Sequence, residues 1–257
     1  MIMGSGVAMK KYLVKLFPWL SAVRKRQQEL QGYIRSRSLA KKDMERIFTE
    51  YFEENTWSDP ASRSGVGSNL EATKSIREEI PKLLKELSVT TMLDVPCGDF
   101  HWMKTLDLQG VSYIGADIVE KLITQNQENF SDDRRAFMCL DLTQDVLPEV
   151  ELILCRDALV HFSNDMIIRA LSNMKKSSAE YLLTTTFPDK FENPDIVTGM
   201  WRPINLTRPP FNLPKPLRWI CESMRLEGDA KKRDKRLGLW RINDIPDFKT
   251  PYHTSVG

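Results

Sequence analysis

The amino-acid sequence predicts an α/β fold in which a mostly parallel sheet is covered by helices on both faces. Between residues 92 and 187, five short apolar runs alternate with stretches of helical periodicity. Such alternation is how parallel strands are joined through crossover helices. Two more strand-like runs near the C-terminus follow one another with no helix between them, which predicts an antiparallel hairpin. Finally, Asp94, Asp117, Asp141 and Asp157 each fall at or just past the end of one of four successive runs. That rim is where open α/β sheets bind ligands.

The elements follow in chain order. Residues 1–42 hold ten Lys or Arg against one Glu, whereas residues 43–257 hold 27 basic against 34 acidic side chains. This split predicts a basic N-terminal helical extension, 1–42, ahead of a single domain, 43–257. In the extension, Tyr12, Leu13, Val14, Leu16, Phe17, Trp19 and Leu20 form an apolar patch between Lys10, Lys11 and Lys15 and the run Arg24, Lys25, Arg26. The patch is too short to span a bilayer. Three readings of residues 10–26 stay open: peripheral contact with an anionic membrane surface, organellar targeting, or a docking helix with a solvated basic face. Nucleic acid is not an expected partner, because the domain that would do the chemistry is acidic and repels phosphate.

Ser68-Asn69-Leu70-Glu71 has the form of a capping box, so a helix is expected to start at Ser68. Ile76, Ile80, Leu83, Leu84 and Leu87 then mark one buried stripe, with Pro81 expected to kink or split it. The runs 92–95, 113–116, 136–140, 152–155 and 181–187 read as strands. Val119, Leu122 and Ile123 mark one intervening helix. Ile167, Ala170, Leu171 and Met174 mark another, opened by Ser163-Asn164. Only 12 residues, 140–151, separate the third strand core from the fourth. An extended chain of that length reaches about 40 Å, enough to jump across several strands. The hairpin is formed by the alternating run around Leu217, Trp219 and Cys221 and by the run 237–242, joined by the mostly charged stretch 223–235.

The balance of 41% hydrophobic and 28% charged residues excludes a globally disordered chain. Cys97, Cys139, Cys155 and Cys221 show no C-x-x-C spacing and mostly sit in apolar runs, where a thiol packs as a small hydrophobe. With His101, His161 and His253 equally dispersed, neither a disulfide framework nor a metal centre is expected. A reducing, cytoplasmic setting fits best, with peripheral membrane contact open.

Asp117 follows Asp94 by 23 residues, near the separation of about 20 at which an acid meets a nucleotide ribose. Gly98 removes a side chain where backbone must come close to a ligand. Taken in order, Leu93-Asp94-Val95-Pro96-Cys97-Gly98-Asp99-Phe100, Tyr113-Ile114-Gly115-Ala116-Asp117-Ile118, Cys139-Leu140-Asp141-Leu142 and Leu154-Cys155-Arg156-Asp157-Ala158-Leu159-Val160-His161-Phe162 resemble the class I S-adenosylmethionine (SAM)-dependent methyltransferases. The resemblance covers roughly residues 50–245. Asn55-Thr56-Trp57 and Ser62-Arg63-Ser64-Gly65-Val66-Gly67-Ser68 look like features of a bacterial-type subgroup whose first motif reads D-x-P-C-G-D.

The resemblance implies a Rossmann-like seven-stranded sheet of order 3-2-1-4-5-7-6 with the seventh strand antiparallel. It assigns Asp94, Gly98 and Asp99 to the methionine end of SAM and Asp117 to the ribose hydroxyls. Ile118 falls to the adenine face, and Asp141, with Leu142 beside it, to the adenine amino group. The chain departs from the family pattern at Pro96 and Phe100, where glycines are usual.

Other positions carry two readings each. The segment 64–68 is either a turn before a helix or, with Gly65 and the Arg63 side chain, a seat for the cofactor carboxylate. Trp57 either lids the pocket or joins the core. His161 follows the fourth strand, and the unperturbed histidine pKa is about 6.5, which suits a general base with Asp157 orienting it. The alternative is a histidine that fixes its loop through a backbone hydrogen bond. The stretch 193–216, with Pro194, Pro203, Pro209, Pro210, Pro214 and Pro216, excludes a helix. It is either an acceptor-binding loop, with Arg202 and Arg208 meeting an anionic group, or a rigid strap.

The absence of Asn-Pro-Pro-Tyr or Asp-Pro-Pro-Tyr after the fourth strand argues against methylation of a DNA base amine. A small-molecule acceptor is therefore expected: a sugar, a lipid-linked glycan or a secondary metabolite. The rivals are a methyltransferase-like scaffold without turnover and a nicotinamide-dependent oxidoreductase. The latter lacks its G-x-G-x-x-G turn here.

Overall fold

The computed structural model describes residues 18–108, 110–222 and 234–248. It divides after Lys42 into two compact units. In the first, α1 spans Pro18–Leu39. Residues 10–17 of the basic and apolar patch, and residues 223–233 of the charged connection in the hairpin, lie outside the described residues. Among the described residues, no helix is long and apolar enough to cross a membrane.

The second unit opens with α2, Met44–Glu53, capped by Asp43, whose carboxylate accepts from the Arg46 N–H. Then come α3 (Lys74–Glu86), β1 (Thr91–Asp94), β2 (Ser112–Asp117), α4 (Glu120–Phe130), β3 (Arg135–Cys139), β4 (Leu152–Cys155), α5 (Asn164–Lys176), β5 (Tyr181–Thr186), β6 (Arg218–Cys221) and β7 (Arg236–Arg241). The seven strands form one sheet of order β3-β2-β1-β4-β5-β7-β6. β1 to β5 run parallel, and β7 is antiparallel to both neighbours. This is the Rossmann-like order expected above.

Alternate residues of the central strands feed two cores. Leu93, Ile153 and Leu182 pack with Ile167, Ala170, Leu171 and Met174 of α5. Met92, Leu152, Leu154 and Leu183 pack with α3 and α4, including Ile76, Ile80, Leu83, Leu122 and Ile123. Strand side chains alternate faces, so a run buried on both sides has to be continuously apolar. Between β3, at one edge, and β4, beside β1, the chain crosses two strands without a helix and buries Leu142, Leu147 and Val150.

Three expectations need correction. The helix does not begin at Ser68, which lies in a short 3-10 turn, Val66–Ser68. Asn69 instead accepts the Ala72 N–H on its own side chain at 2.8 Å, and α3 starts only after Thr73. Asx-type bonds of this kind compete with helix initiation. Pro81 lies within α3 without splitting it into two helices. Of the four thiols, Cys97 and Cys155 are buried but Cys139 and Cys221 are exposed, because they end β3 and β6 at the two edges of the sheet.

Candidate functional site at the strand C-termini

The parallel strands end along one rim, and the first two end in buried acids. Asp94 is 2% exposed and accepts the Tyr113 hydroxyl at 2.8 Å. Burial outweighs that bond and pushes its carboxyl up to about 7. Asp117, 7% exposed, accepts the N–H groups of Gly98 at 3.2 Å and Val119 at 3.1 Å. Burial again prevails and raises it to about 6.

The turn between these acids is held from both sides, since the Gly98 carbonyl accepts from Asn126 Nδ2 at 2.8 Å. Gly98 has φ +54°, and a Cβ there would come within 2.1 Å of the Ser64 hydroxyl. Phe100, where the family usually has glycine, still takes a left-handed backbone at φ 56°. That conformation costs an L-residue about 1–2 kcal/mol. Its ring is 1% exposed and packs 5.1–5.3 Å from Tyr113, Phe130 and Phe137. Burying a Phe contributes about 1.5–3 kcal/mol, enough to offset the strain. The turn therefore keeps its shape without the glycine.

Other predicted residues are engaged differently. Asp99 engages the loop 62–64 with its carboxylate. It accepts the Arg63 N–H at 2.7 Å and the hydroxyls of Ser62 at 3.0 Å and Ser64 at 3.2 Å, so it fastens the loop 62–64. The Arg63 guanidinium lies against the carbonyls of Phe52 and Glu53, at 3.3 and 3.5 Å. It is drawn there by the partial negative charge at the end of α2. Asp141 is half-buried, with one oxygen taken by the Thr143 N–H at 2.8 Å and hydroxyl at 2.7 Å. The Leu142 side chain belongs to the core, which leaves its backbone on the rim. Ile118 is half-buried at the end of β2, against both cores.

Gly65 has φ +87°, and a Cβ there would lie 2.7 Å from Trp57 Cβ, so the loop rests directly on that residue. Trp57 in turn stands 5.5 Å from Tyr51 and 5.7 Å from the His161 ring, with Phe48 6.5 Å from His161. His161 sits in the turn Leu159–His161, its Nδ1 3.0 Å from the Met200 carbonyl. A carbonyl can only accept, so Nδ1 carries a proton, and in the neutral ring Nε2 then holds the lone pair.

Asp157 pairs with two basic side chains, and His161 also acts on it electrostatically. Asp157, at φ 57°, bonds Lys235 Nζ at 2.5 Å and lies 3.4 Å from Arg156 Nη1. Burial alone would raise its carboxyl, but Lys235 and Arg156 hold it well below the usual carboxylate range. The Arg202 side chain is turned into the protein, where it donates to the Phe162 carbonyl at 2.9 Å and to Asn164 Oδ1 at 2.6 Å. Burial lowers it to about 10. Arg208 is exposed, and it is its carbonyl that meets Asn193 Nδ2, at 3.4 Å. The proline-rich stretch is thus latched onto the turn after β4, with the Arg202 side chain turned inward and Arg208 exposed.

Asn126, Arg156, Glu222 and Lys235 were not singled out from the sequence. Arg156 lies inside a quoted motif. Glu222 and Lys235 stand at the two ends of the mostly charged hairpin connection, yet both are 4% exposed.

No family model matches the chain, and no curated protein does. Among solved structures, the chain is similar to magnesium protoporphyrin IX methyltransferase from Synechocystis with bound SAM: 19% identity, TM-score 0.45, covering 60% of this chain and 81% of that one. It is similar to human N-acetylserotonin methyltransferase in complex with SAM at 16% identity and TM-score 0.39, over 46% of this chain and 36% of that one. It is also similar to an amino pentose methyltransferase from Micromonospora echinaspora with SAM bound, at 14% identity and TM-score 0.39, over 46% and 53%. The chain thus spans less than two thirds of the length of the last two.

Proposed function

We propose that this chain is a SAM-dependent methyltransferase that acts on a small-molecule acceptor, through a hydroxyl or another O- or N-nucleophile of a sugar, lipid-linked glycan or secondary metabolite. The observation that carries this reading is the placing of Asp94, Gly98 and Asp117 on adjacent strand ends, with the Gly98 amide on the Asp117 carboxylate at 3.2 Å. The donor set fits SAM. Asp117 offers a buried carboxylate to two vicinal hydroxyls, Asp94 offers one to an ammonium group, and Gly98, lacking a side chain, lets the loop with Ser64 close against the turn between them. Asp141 and Ile118 complete the reading on the adenine side.

When bound, SAM supplies a methyl group on a positively charged sulfonium. The chain then has to align the acceptor, exclude water and manage one proton. Trp57, Phe48 and Tyr51 wall the region around His161 with aromatic faces that suit a flat ring or a sugar face. His161, held by the Met200 carbonyl, takes up the acceptor proton at Nε2. Arg202 has no part in this reading, because its side chain is buried in the strap.

Titration calorimetry tests the proposal. SAM and S-adenosylhomocysteine are expected to bind with one site per chain and NADH not to bind, followed by methyl release from SAM on a metabolite pool. Binding without turnover would leave a methyltransferase-like scaffold, and binding of NADH alone would replace the reading by an oxidoreductase.

A further inference from the structure

A ring of buried charge stands beside this site without a step in the reaction. Arg156 directly follows β4, its side chain 4% exposed. Its Nη2 donates to Glu222 Oε2 at 2.6 Å and to the Gly67 carbonyl at 2.7 Å, and its Nη1 lies 3.4 Å from Asp157 Oδ2. Lys235 Nζ closes the ring, 2.9 Å from Glu222 Oε2 and 2.5 Å from Asp157 Oδ2. The guanidinium also sits 5.4 Å from the centre of the Trp102 ring.

Two cations and two anions balance, but burying them is a poor route to stability, because apolar side chains of similar volume do as well or better. Nor is the ring arranged for its own pairing: Arg156 Nε and Glu222 Oε1 are buried without a hydrogen-bond partner. What distinguishes the ring is the set of segments it joins. Arg156 and Asp157 belong to the turn after β4, Glu222 follows β6, Lys235 precedes β7, and Gly67 brings in the loop 62–68. Asp99 holds the beginning of that loop. Between the two anchors, the Ser64 hydroxyl lies against Gly98. Gly67 itself packs on Asp157, whose Oδ2 would be 3.2 Å from a Cβ there.

We infer that Arg156 is a positioning residue for the cofactor. By holding the Gly67 carbonyl it sets how the loop 62–68 lies over Gly98, and by sharing the same guanidinium with Glu222 and Asp157 it ties that loop to the acceptor side of the rim. The inference rests on the SAM reading above. A lysine cannot substitute, because an ammonium is a point charge, whereas the guanidinium fork reaches several acceptors in one plane.

The test uses the full-length protein as wild type, as Arg156→Lys, and as the paired replacement Arg156→Met with Glu222→Met, which leaves Lys235 and Asp157 as a neutral pair. SAM affinity is read by calorimetry, and amide hydrogen exchange is read at residues 65–68 and in β4. Both variants are expected to bind SAM about 10-fold more weakly, the effect of losing one charge-assisted hydrogen bond. Exchange at 65–68 is expected to accelerate while β4 stays protected. Unchanged SAM affinity in both variants, or unchanged exchange at 65–68, overturns the inference. If the paired variant fails to fold, Arg156→Lys, which keeps the charge count, decides alone. If the wild type takes up no SAM, the methyltransferase reading fails, and the exchange data still decide whether Arg156 holds the loop.

Discussion

At the ends of β1 and β2 the polar groups are held largely by main-chain neighbours, whereas beyond β4 they are held by side chains drawn from distant parts of the chain. Asp117 is fixed by the amides of Gly98 and Val119, and the Gly98 peptide by Asp117 and Asn126. Asp157, in contrast, depends on Lys235, 78 residues away, and Arg156 on Glu222, 66 residues away. Backbone donors persist when a side chain is replaced. A charge network fails as a unit, because every member depends on its neighbours for neutralisation. Replacing Asp117 should therefore cost function while keeping the fold, whereas replacing a member of the charge network should cost both.

The largest effect is expected at His161. His161→Ala should lower turnover by about 100-fold or more, the usual size of general base catalysis, with SAM affinity within about 2-fold of wild type. Single-turnover methyl release together with calorimetry would check this, and an unchanged rate would reduce His161 to a loop anchor. Asp157→Ala removes one anion from the ring and leaves Lys235 and Arg156 sharing Glu222. Chemical denaturation should register a loss of about 1–3 kcal/mol, since Lys235 is buried while the Asp157 side chain is 30% exposed. Asp117→Ala should do the reverse. SAM affinity should fall about 100-fold, as expected for the loss of hydrogen bonds to a charged group, while stability should change little, because the relief of a buried carboxylate offsets the loss of an acceptor for the Gly98 and Val119 amides. If Asp117→Ala and Asp157→Ala proved equally destabilising, the contrast between the two halves would disappear.

The smallest effect is on pH dependence. Burial raises Asp94 to about 7 and Asp117 to about 6, from ordinary values of 3.8. The folded protein therefore binds more protons than the unfolded chain between about pH 4 and pH 7. The stability contributed by these two groups is complete below the ordinary carboxylate range and is lost as pH rises through 6 and 7. SAM binding runs the other way, since Asp117 has to be ionised to accept two hydroxyls well. The gain in melting temperature on adding SAM should then grow from pH 5.5 to 7.5, and Asp94→Asn should flatten the pH dependence of the apo protein. A gain independent of pH would remove Asp117 from the ribose assignment.

Much of the rim at the ends of β1 and β2 was legible because its determinants are local. The strand ends at Asp94 and Asp117 and the glycine of the intervening turn can be read from periodicity and spacing alone. Less was legible where a residue type admits several partners. Ser68 and Glu71 satisfy the capping-box pattern, but Asn69 supplied a competing bond. Asp99 and Arg63 bond the amides and hydroxyls of the loop 62–64 and the end of α2, partners that spacing alone does not indicate. Arg202 carries a charge that pattern reasoning sends to an anion, whereas the folded strap offers it a carbonyl and an amide oxygen.

The sequence by itself determined the class of fold, the strand order through its family resemblance, and the acids that end β1 and β2. Hydrophobic periodicity and turn chemistry act between residues a few positions apart, and so are written in short stretches of chain. Only the tertiary structure decided which cation meets which carboxylate beyond β4, that the proline-rich stretch is latched onto the turn after β4, and that Glu222 and Lys235 are buried. Charge pairing depends on distance and burial between residues dozens of positions apart, and both are settled only once the sheet has brought those positions together.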